Sequence, residues 1–250
     1  MEQQLPRFLM DPKTDGQTVV LSGEEAHHSL AVLRLRPGDQ FIAIDGKGNE
    51  YLCNLESVVS GRAYGRVIRH SRLTTEATTN ITLAIGLPRP SKMDLIVQKT
   101  TELGVRRIVP LLCQGCYTQA GADELVGRTD RWHRIAVEAA KQSLRSVVPK
   151  VANPVKMNDF EKIITQVDLA ILFTPKASGN ILHQLIAAKD NTSREILAIV
   201  GCESGFSIEE EESLRALKVQ LCSLGPRRLR TETAAIVAVS MILYESGGQG

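Results

Sequence analysis

The sequence carries almost no net charge: 30 Lys+Arg against 28 Asp+Glu leave +2. Global charge therefore does not mark a nucleic-acid binder, and any basic footprint must be local. No apolar run is long enough to cross about 30 Å of hydrocarbon. The longest near the end, Ala234 to Leu243, is broken by Ser240. The start, MEQQLPRFLM, lacks the basic and apolar regions of a secretory leader. A soluble cytoplasmic protein without membrane association is expected. Five cysteines are an odd number on a long chain, against a disulfide scaffold. Cys113 and Cys116 form a C-x-x-C, but zinc needs two more ligands at matching spacing, and no second C-x-x-C or His pair follows. The pair reads as two small, semi-buried residues at a strand end, and no metal is expected. G-x-G-x-x-G after a strand, G-x-x-x-x-G-K-[ST] and G-x-S-x-G are also absent, which removes support for dinucleotide, P-loop and serine-hydrolase readings. No internal repeat is visible.

What is present is enough apolar material for a core, 43% of 250 residues with 23% charged, and a change of pattern partway along. Up to about residue 72 the segments are short and strand-like: Thr18–Leu21, Gln40–Ile44, Tyr51–Val59 and Arg62–Arg69, punctuated by turns such as Asp45-Gly-Lys-Gly-Asn49. A helical patch from Glu24 to Leu33, capped by Ser22 or Gly23, interrupts them. This is a small β module, barrel-like in pattern. The polar, Thr-rich stretch from Ser71 to Asn80 reads as a linker. Strands then alternate with helices. Strands are expected at Ile81–Gly86, Arg107–Leu112, Leu169–Phe173, Ile196–Val200 and Val219–Leu224. Helices are expected from a capping box at Ser91-Lys-Met-Asp94 to a stop at Gly104, over Asp130–Arg145, Ser178–Ala188, from a capping box at Ser207-Ile-Glu-Glu210 to Leu217, and over Thr231–Glu245. Trp132, Ile135, Ala136, Ala139 and Ala140 form one apolar stripe, so Trp132 belongs to the core. Alternation of this kind means a mainly parallel sheet covered on both faces.

Ligands of such a sheet sit beyond the carboxyl ends of its strands. Three strand-end loops stand out: Phe173 to Gly179, Val200 to Phe206 and Leu224 to Thr233. Gly201, Gly205 and Gly225 allow backbone to approach a flat ligand, or simply permit tight turns.

These loops carry a resemblance. Leu224-Gly-Pro-Arg-Arg-Leu-Arg-Thr-Glu-Thr-Ala234 resembles the pattern L-G-x-x-I-L-R-T-E-T-A, and Gly201-Cys-Glu-Ser-Gly-Phe-Ser207 resembles G-P-E-G-G-F-S. Lys92-Met-Asp with Gln98-Lys-Thr-Thr-Glu-Leu-Gly-Val105 resembles K-M-x-x-x-x-Q-K-x-x-E-L-G-V. Arg131-Trp-His-Arg-Ile-Ala with Glu138-Ala-Ala-Lys-Gln-Ser-Leu-Arg145 resembles R-W-x-x-I-A-x-E-A-x-x-Q-x-x-R. Arg7-Phe-Leu and His28 to Asp39 fit the same family's N-terminal PUA-like domain. The family is the RsmE-type methyltransferases of 16S ribosomal RNA, within the SPOUT superfamily.

The resemblance implies an α/β fold with a C-terminal trefoil knot at 80–250, preceded by a PUA-like RNA-binding barrel at 1–74. It implies a homodimer acting on the small ribosomal subunit, with S-adenosylmethionine clasped by the three loops and methylation at N3 of a uridine. By position, Thr174, Gly201, Glu203, Gly205, Leu224, Gly225, Leu229 and Arg230 would meet the cofactor. Arg230 and Glu232 are the catalytic candidates, Arg230 holding uracil carbonyls or a phosphate and Glu232 accepting the N3 proton. Glu232 has a plainer role available, as a first-turn carboxylate favoured by the helix dipole. Arg34, Arg36, Arg62, Arg66, Arg69 and Arg72 are the RNA-binding candidates. The same charges would also suit a solvated strand edge. The chain departs from the pattern at Cys202 (usually Pro), Ser204 (Gly), Gly115 (commonly Arg), Leu144 (commonly Gly) and Arg228 (aliphatic). Two alternatives stand beside this reading: a catalytically weakened RNA-binding relative, and a methyltransferase acting on a ribose 2′-hydroxyl.

Overall fold

The computed structural model describes residues 5–12, 16–72, 76–116, 122–177, 182–187 and 195–247. Parts of the expected linker, of the first strand-end loop and of the Ser178–Ala188 helix lie outside them. Two compact units result, one of residues 1–76 with 137–148, the other of 77–136 with 149–250.

The first unit is β-rich. Its strands are β1 (Arg7–Leu9), β2 (Thr18–Leu21), β3 (Gln40–Ile44), β4 (Asn49–Val59) and β5 (Arg62–Arg72), with helix α1 (Gly23–His27) running into a π-helical turn at His28–Val32. The sheet order is β1-β3-β4-β5-β2, antiparallel except for β1 beside β3. Just past β1, the Asp11 amide donates to the Val20 carbonyl of β2, the other outer strand, at 2.9 Å. Alternation decides which face is inside: Phe8, Val19, Leu21, Phe41, Ala43, Cys53, Leu55 and Ala63 form the core.

The second unit holds β6 (Asn80–Gly86), α2 (Pro90–Leu103), β7 (Arg107–Leu112), β8 (Lys150–Val151), β9 (Val155–Lys156), α4 (Met157–Ile164), β10 (Leu169–Phe173), α5 (Leu182–Ala187), β11 (Glu195–Val200), α6 (Ile208–Ala216), β12 (Gln220–Cys222) and α7 (Thr231–Glu245). Helix α3 (Ala122–Gln142) begins here, and its residues from Val137 onward count with the first unit. Every pairing in this sheet is parallel, in the order β12-β10-β11-β6-β7-β8, with β9 also beside β7. Strands such as Ile81–Ile85 and Ile196–Val200 are continuous apolar runs because both faces are covered.

The expected elements recur with shifted ends. Helix α2 starts at Pro90, not from a capping box at Ser91: proline at the first helical position needs no amide partner and has its φ preset. Gly104 does end that helix, in left-handed conformation. Helix α3 begins eight residues before Asp130, and its Trp132 is buried. The capping box at Ser207 forms: its hydroxyl accepts from the Glu210 amide, and Glu210 accepts from the Ser207 amide. Strands β1, β8 and β9 and helix α4 had no counterpart in the expectation. The three strands have at most three residues each, too few for a period to show.

Candidate active site

Strand order brings the three loops together. Phe173 at the end of β10 pairs with Val200 of β11 on one side and Cys222 of β12 on the other, so the three strands end level. The loops leaving them enclose a cavity of about 380 Å³, within the size range of small-molecule sites. Thr174, Gly201, Glu203, Gly205, Leu224, Gly225 and Leu229 all line it. A Cβ on Gly201 would lie 3.0 Å from the Gly205 Cα, so a side chain there would press on the backbone across the turn. Gly225 has φ +104, a conformation other residues rarely adopt. Glu211 forms part of the wall, nearly buried and held at 3.0 Å by Lys176 from the opposite loop.

Arg230 is placed differently. It is the exposed N-cap residue of α7 and does not line the cavity, although its neighbours Leu229 and Thr231 do. Glu232 sits in the first turn of α7 with its side chain 14% exposed. Its partner is a residue the sequence reading used only as part of a motif. Lys92, in the first turn of α2, extends its ammonium to 3.2 Å from Glu203 and 3.4 Å from Glu232. The Oε2 of Glu232 is nonetheless buried without a hydrogen bond. One lysine thus connects a cavity-lining carboxylate to the carboxylate of the last helix. The Lys-Met pair at a helix start was the available signal, but pairing across α2 and α7 depends on the fold.

Three of the positions named above, Gly115, Cys202 and Ser204, meet at one corner. Ser204 has ordinary backbone angles, so the side chain costs no left-handed strain there. Its hydroxyl donates to the Gly115 carbonyl at 3.2 Å, and a Cβ on Gly115 would fall 1.8 Å from that same oxygen. Gly115 and Ser204 therefore fit each other. Cys202 points to the same place, with its sulfur 3.7 Å from Cys113, which is 3.0 Å from Cys116. Hydrogen bonds from the Cys113 thiol and then Cys116 hold the Cys202 thiol well below the ordinary range, against its burial. Hydrogen bonding to Cys116 and Cys202, with burial, pushes Cys113 up. The expectation that Cys113 and Cys116 stand without further ligands is corrected: Cys202 is a third sulfur that linear spacing did not reveal.

In the first unit, Arg34, Arg36, Arg62, Arg66, Arg69 and Arg72 are all exposed. Sequence between Ser57 and Thr75 holds no acid, yet Glu56 on the facing strand pairs with Arg66 at 3.2 Å. His70 stacks on Tyr51, ring centroids 4.8 Å apart. Two motif cations have structural partners instead: Arg145 grips Glu76 through two hydrogen bonds, and Lys141 binds Glu25 at 2.8 Å, both largely buried. Burial opposes the charge of Lys141, but hydrogen bonds to Glu138 and Glu25 outweigh it and raise its pKa.

Comparison with known proteins bears on these features. An RNA methyltransferase domain matches residues 75–243, and an RNA methyltransferase PUA domain matches residues 21–68. The ribosomal RNA small subunit methyltransferase E of Bacillus subtilis is 32% identical over 239 residues, 93% of this chain and 92% of that protein. The protein of the same name from Synechocystis is 33% identical over 90% of this chain and 72% of its own length. The crystal structure of a ribosomal RNA small subunit methyltransferase E from Neisseria gonorrhoeae, bound to S-adenosyl methionine, superposes with a TM-score of 0.83 at 27% identity, covering 96% of this chain and 98% of that one.

Proposed function

This chain belongs to the ribosomal RNA small subunit methyltransferase E family, and from that premise we propose that it methylates N3 of a uridine in 16S ribosomal RNA, using S-adenosylmethionine. The observation carrying this is the single cavity built by three level strand ends, lined by seven of the residues expected to meet the cofactor. The tight Gly201 turn leaves backbone open to a flat ring, which suits an adenosyl group. Thr174, Gly201, Glu203, Gly205, Leu224, Gly225 and Leu229 would hold it. When bound, that group supplies an electrophilic methyl on a sulfonium.

The chain's own residues then orient the base and handle one proton. Arg230, exposed at the mouth of α7, offers a planar fork to the uracil carbonyls or a flanking phosphate. Glu232, whose Oε2 faces the Lys92 ammonium at 3.4 Å, is the carboxylate that would accept the N3 proton. Lys92 positions it and ties it to Glu203. Orientation of this kind can lower a barrier by up to about 7–11 kcal/mol for well-aligned partners. Residues 1–74 serve as the RNA-holding module and 80–250 as the catalytic domain. The exposed arginines of β5 support the first part. A homodimer in the cytoplasm completes the reading. Helix α7 is apolar nearly all round, yet Ile236, Val237 and Met241 are only half-buried and Tyr244 is 75% exposed, as expected of a helix with another partner.

The test is nucleoside analysis of small-subunit RNA from cells lacking the gene, treated with the purified chain and cofactor. 3-Methyluridine is expected; a ribose-methylated uridine, or none, overturns the assignment. Arg230→Ala should abolish methylation with the fold intact. Glu232→Gln should lower kcat by about 10²–10⁴, the usual contribution of a general base. Near-normal turnover in either variant removes that residue from the mechanism.

A further inference from the structure

The corner beside the cavity holds three cysteines from two distant stretches of chain. Cys113 and Cys116 follow β7, and Cys202 follows β11. Their sulfurs all lie within 4.8 Å of one another. The first two sit on a turn closed by the Cys116 amide bonding the Cys113 carbonyl at 3.0 Å, and the Cys113 amide donates to the Cys116 sulfur at 3.2 Å. Cys116 also lies against the Leu111 carbonyl, and Cys202 against the Ser204 hydroxyl at 3.3 Å and the Gly205 carbonyl. Beside them the Ser204 hydroxyl donates to the Gly115 carbonyl at 3.2 Å, so the two stretches of chain are already joined at this corner. Three sulfurs brought to one point from separate stretches of chain form a ready set of soft ligands.

We infer that Cys113, Cys116 and Cys202 form a site for one thiophilic cation of the zinc type. A tetrahedral zinc with bonds of about 2.3 Å sets its sulfurs about 3.8 Å apart. The Cys113–Cys202 separation, 3.7 Å, is already there. The Cys113–Cys116 separation, 3.0 Å, must open by somewhat under 1 Å, which a side-chain rotation on the turn supplies. On binding, each sulfur that still carries a proton releases it to solvent, and all three bind as thiolates. The fourth position is left to water or the Ser204 hydroxyl. Half-buried Cys116 gives the entry path. A disulfide would need two sulfurs at about 2.05 Å and gives the third no part. Loading would tie the Gly201–Gly205 loop to the end of β7, alongside the cavity. The inference does not rest on the methylation reading, because binding is observed on the metal itself.

The experiment is a titration of the reduced, metal-free full chain with cobalt(II), followed by zinc(II). One equivalent of cobalt should give the near-ultraviolet sulfur-to-metal band of three thiolates, and zinc should displace it. Cys116→Ser and Cys202→Ala should each weaken binding at least about tenfold, since even loss of an outer-shell partner of a metal ligand costs about 10–100-fold. In the unmodified chain, zinc should protect all three thiols from iodoacetamide, counted by mass spectrometry, which keeps the test independent of whether a variant folds. Absence of the band, equal affinity in the variants, or unprotected thiols overturns the site. So does a chain that instead loses two hydrogens to a disulfide and takes up no metal.

Discussion

Gly115 and Ser204 share one small space. A Cβ at position 115 would meet the Ser204 hydroxyl, which can turn away only by giving up its hydrogen bond to the Gly115 carbonyl. Gly115→Ala should therefore lower stability by about 0.5–1.5 kcal/mol, the usual net contribution of one hydrogen bond. Adding Ser204→Gly should restore most of it in a double-mutant cycle read by denaturant unfolding, and additive losses would refute the coupling. Cys53 gives a pH prediction. Burial raises its thiol from 9.0 to about 12. The unfolded chain releases that proton near pH 9 and the folded chain does not. Its contribution to stability is thus full below pH 9 and is lost as pH rises toward 12, by about 1.4 kcal/mol per unit. Cys53→Ala should show a shallower fall in stability between pH 9 and 10. An unchanged slope would mean the thiol ionises as freely in the fold as outside it.

Among the elements, the end of α3 carries a removable strain. The Arg145 amide bonds the Ala140 carbonyl at 2.9 Å and the Leu144 amide reaches Lys141, which is a Schellman ending. Such endings want glycine at the left-handed position, yet Leu144 is there with φ +61. The ending is retained because Arg145, the next residue, is anchored to Glu76. Leu144→Gly should relieve about 1 kcal/mol of strain, less what glycine adds to the unfolded chain's entropy. Tm should rise by up to about 2–4 °C. A lower Tm would show that the half-exposed leucine contributes more by packing than it costs in backbone. Capping explains two helix starts: Ser207 closes its box, whereas Pro90 makes the box at Ser91 unnecessary.

For the whole molecule, the proposed RNA module rests on charge that is local, since the total is only +2. Replacing Arg62, Arg66, Arg69 and Arg72 by alanine should weaken RNA binding and flatten the log–log salt dependence by about 3, at about 0.7 per phosphate contact on a single strand. An unchanged slope would assign these arginines to edge protection. Arg66 should contribute least of the four, because Glu56 already neutralises it in the free protein.

Local rules on the chain determined a great deal. Apolar runs and their periods located β6, β7, β10, β11 and α7, and Gly104 marked the end of α2, because these depend on neighbours in sequence. Motif order carried the family and the three loops. What only the tertiary structure decided is which distant residues share a point in space. Lys92 meets Glu203 and Glu232, and Cys202 meets Cys113 and Cys116, each through strand order or helix packing. Pairings across tens of residues follow from how the sheet is assembled, and no period or propensity along the chain encodes that.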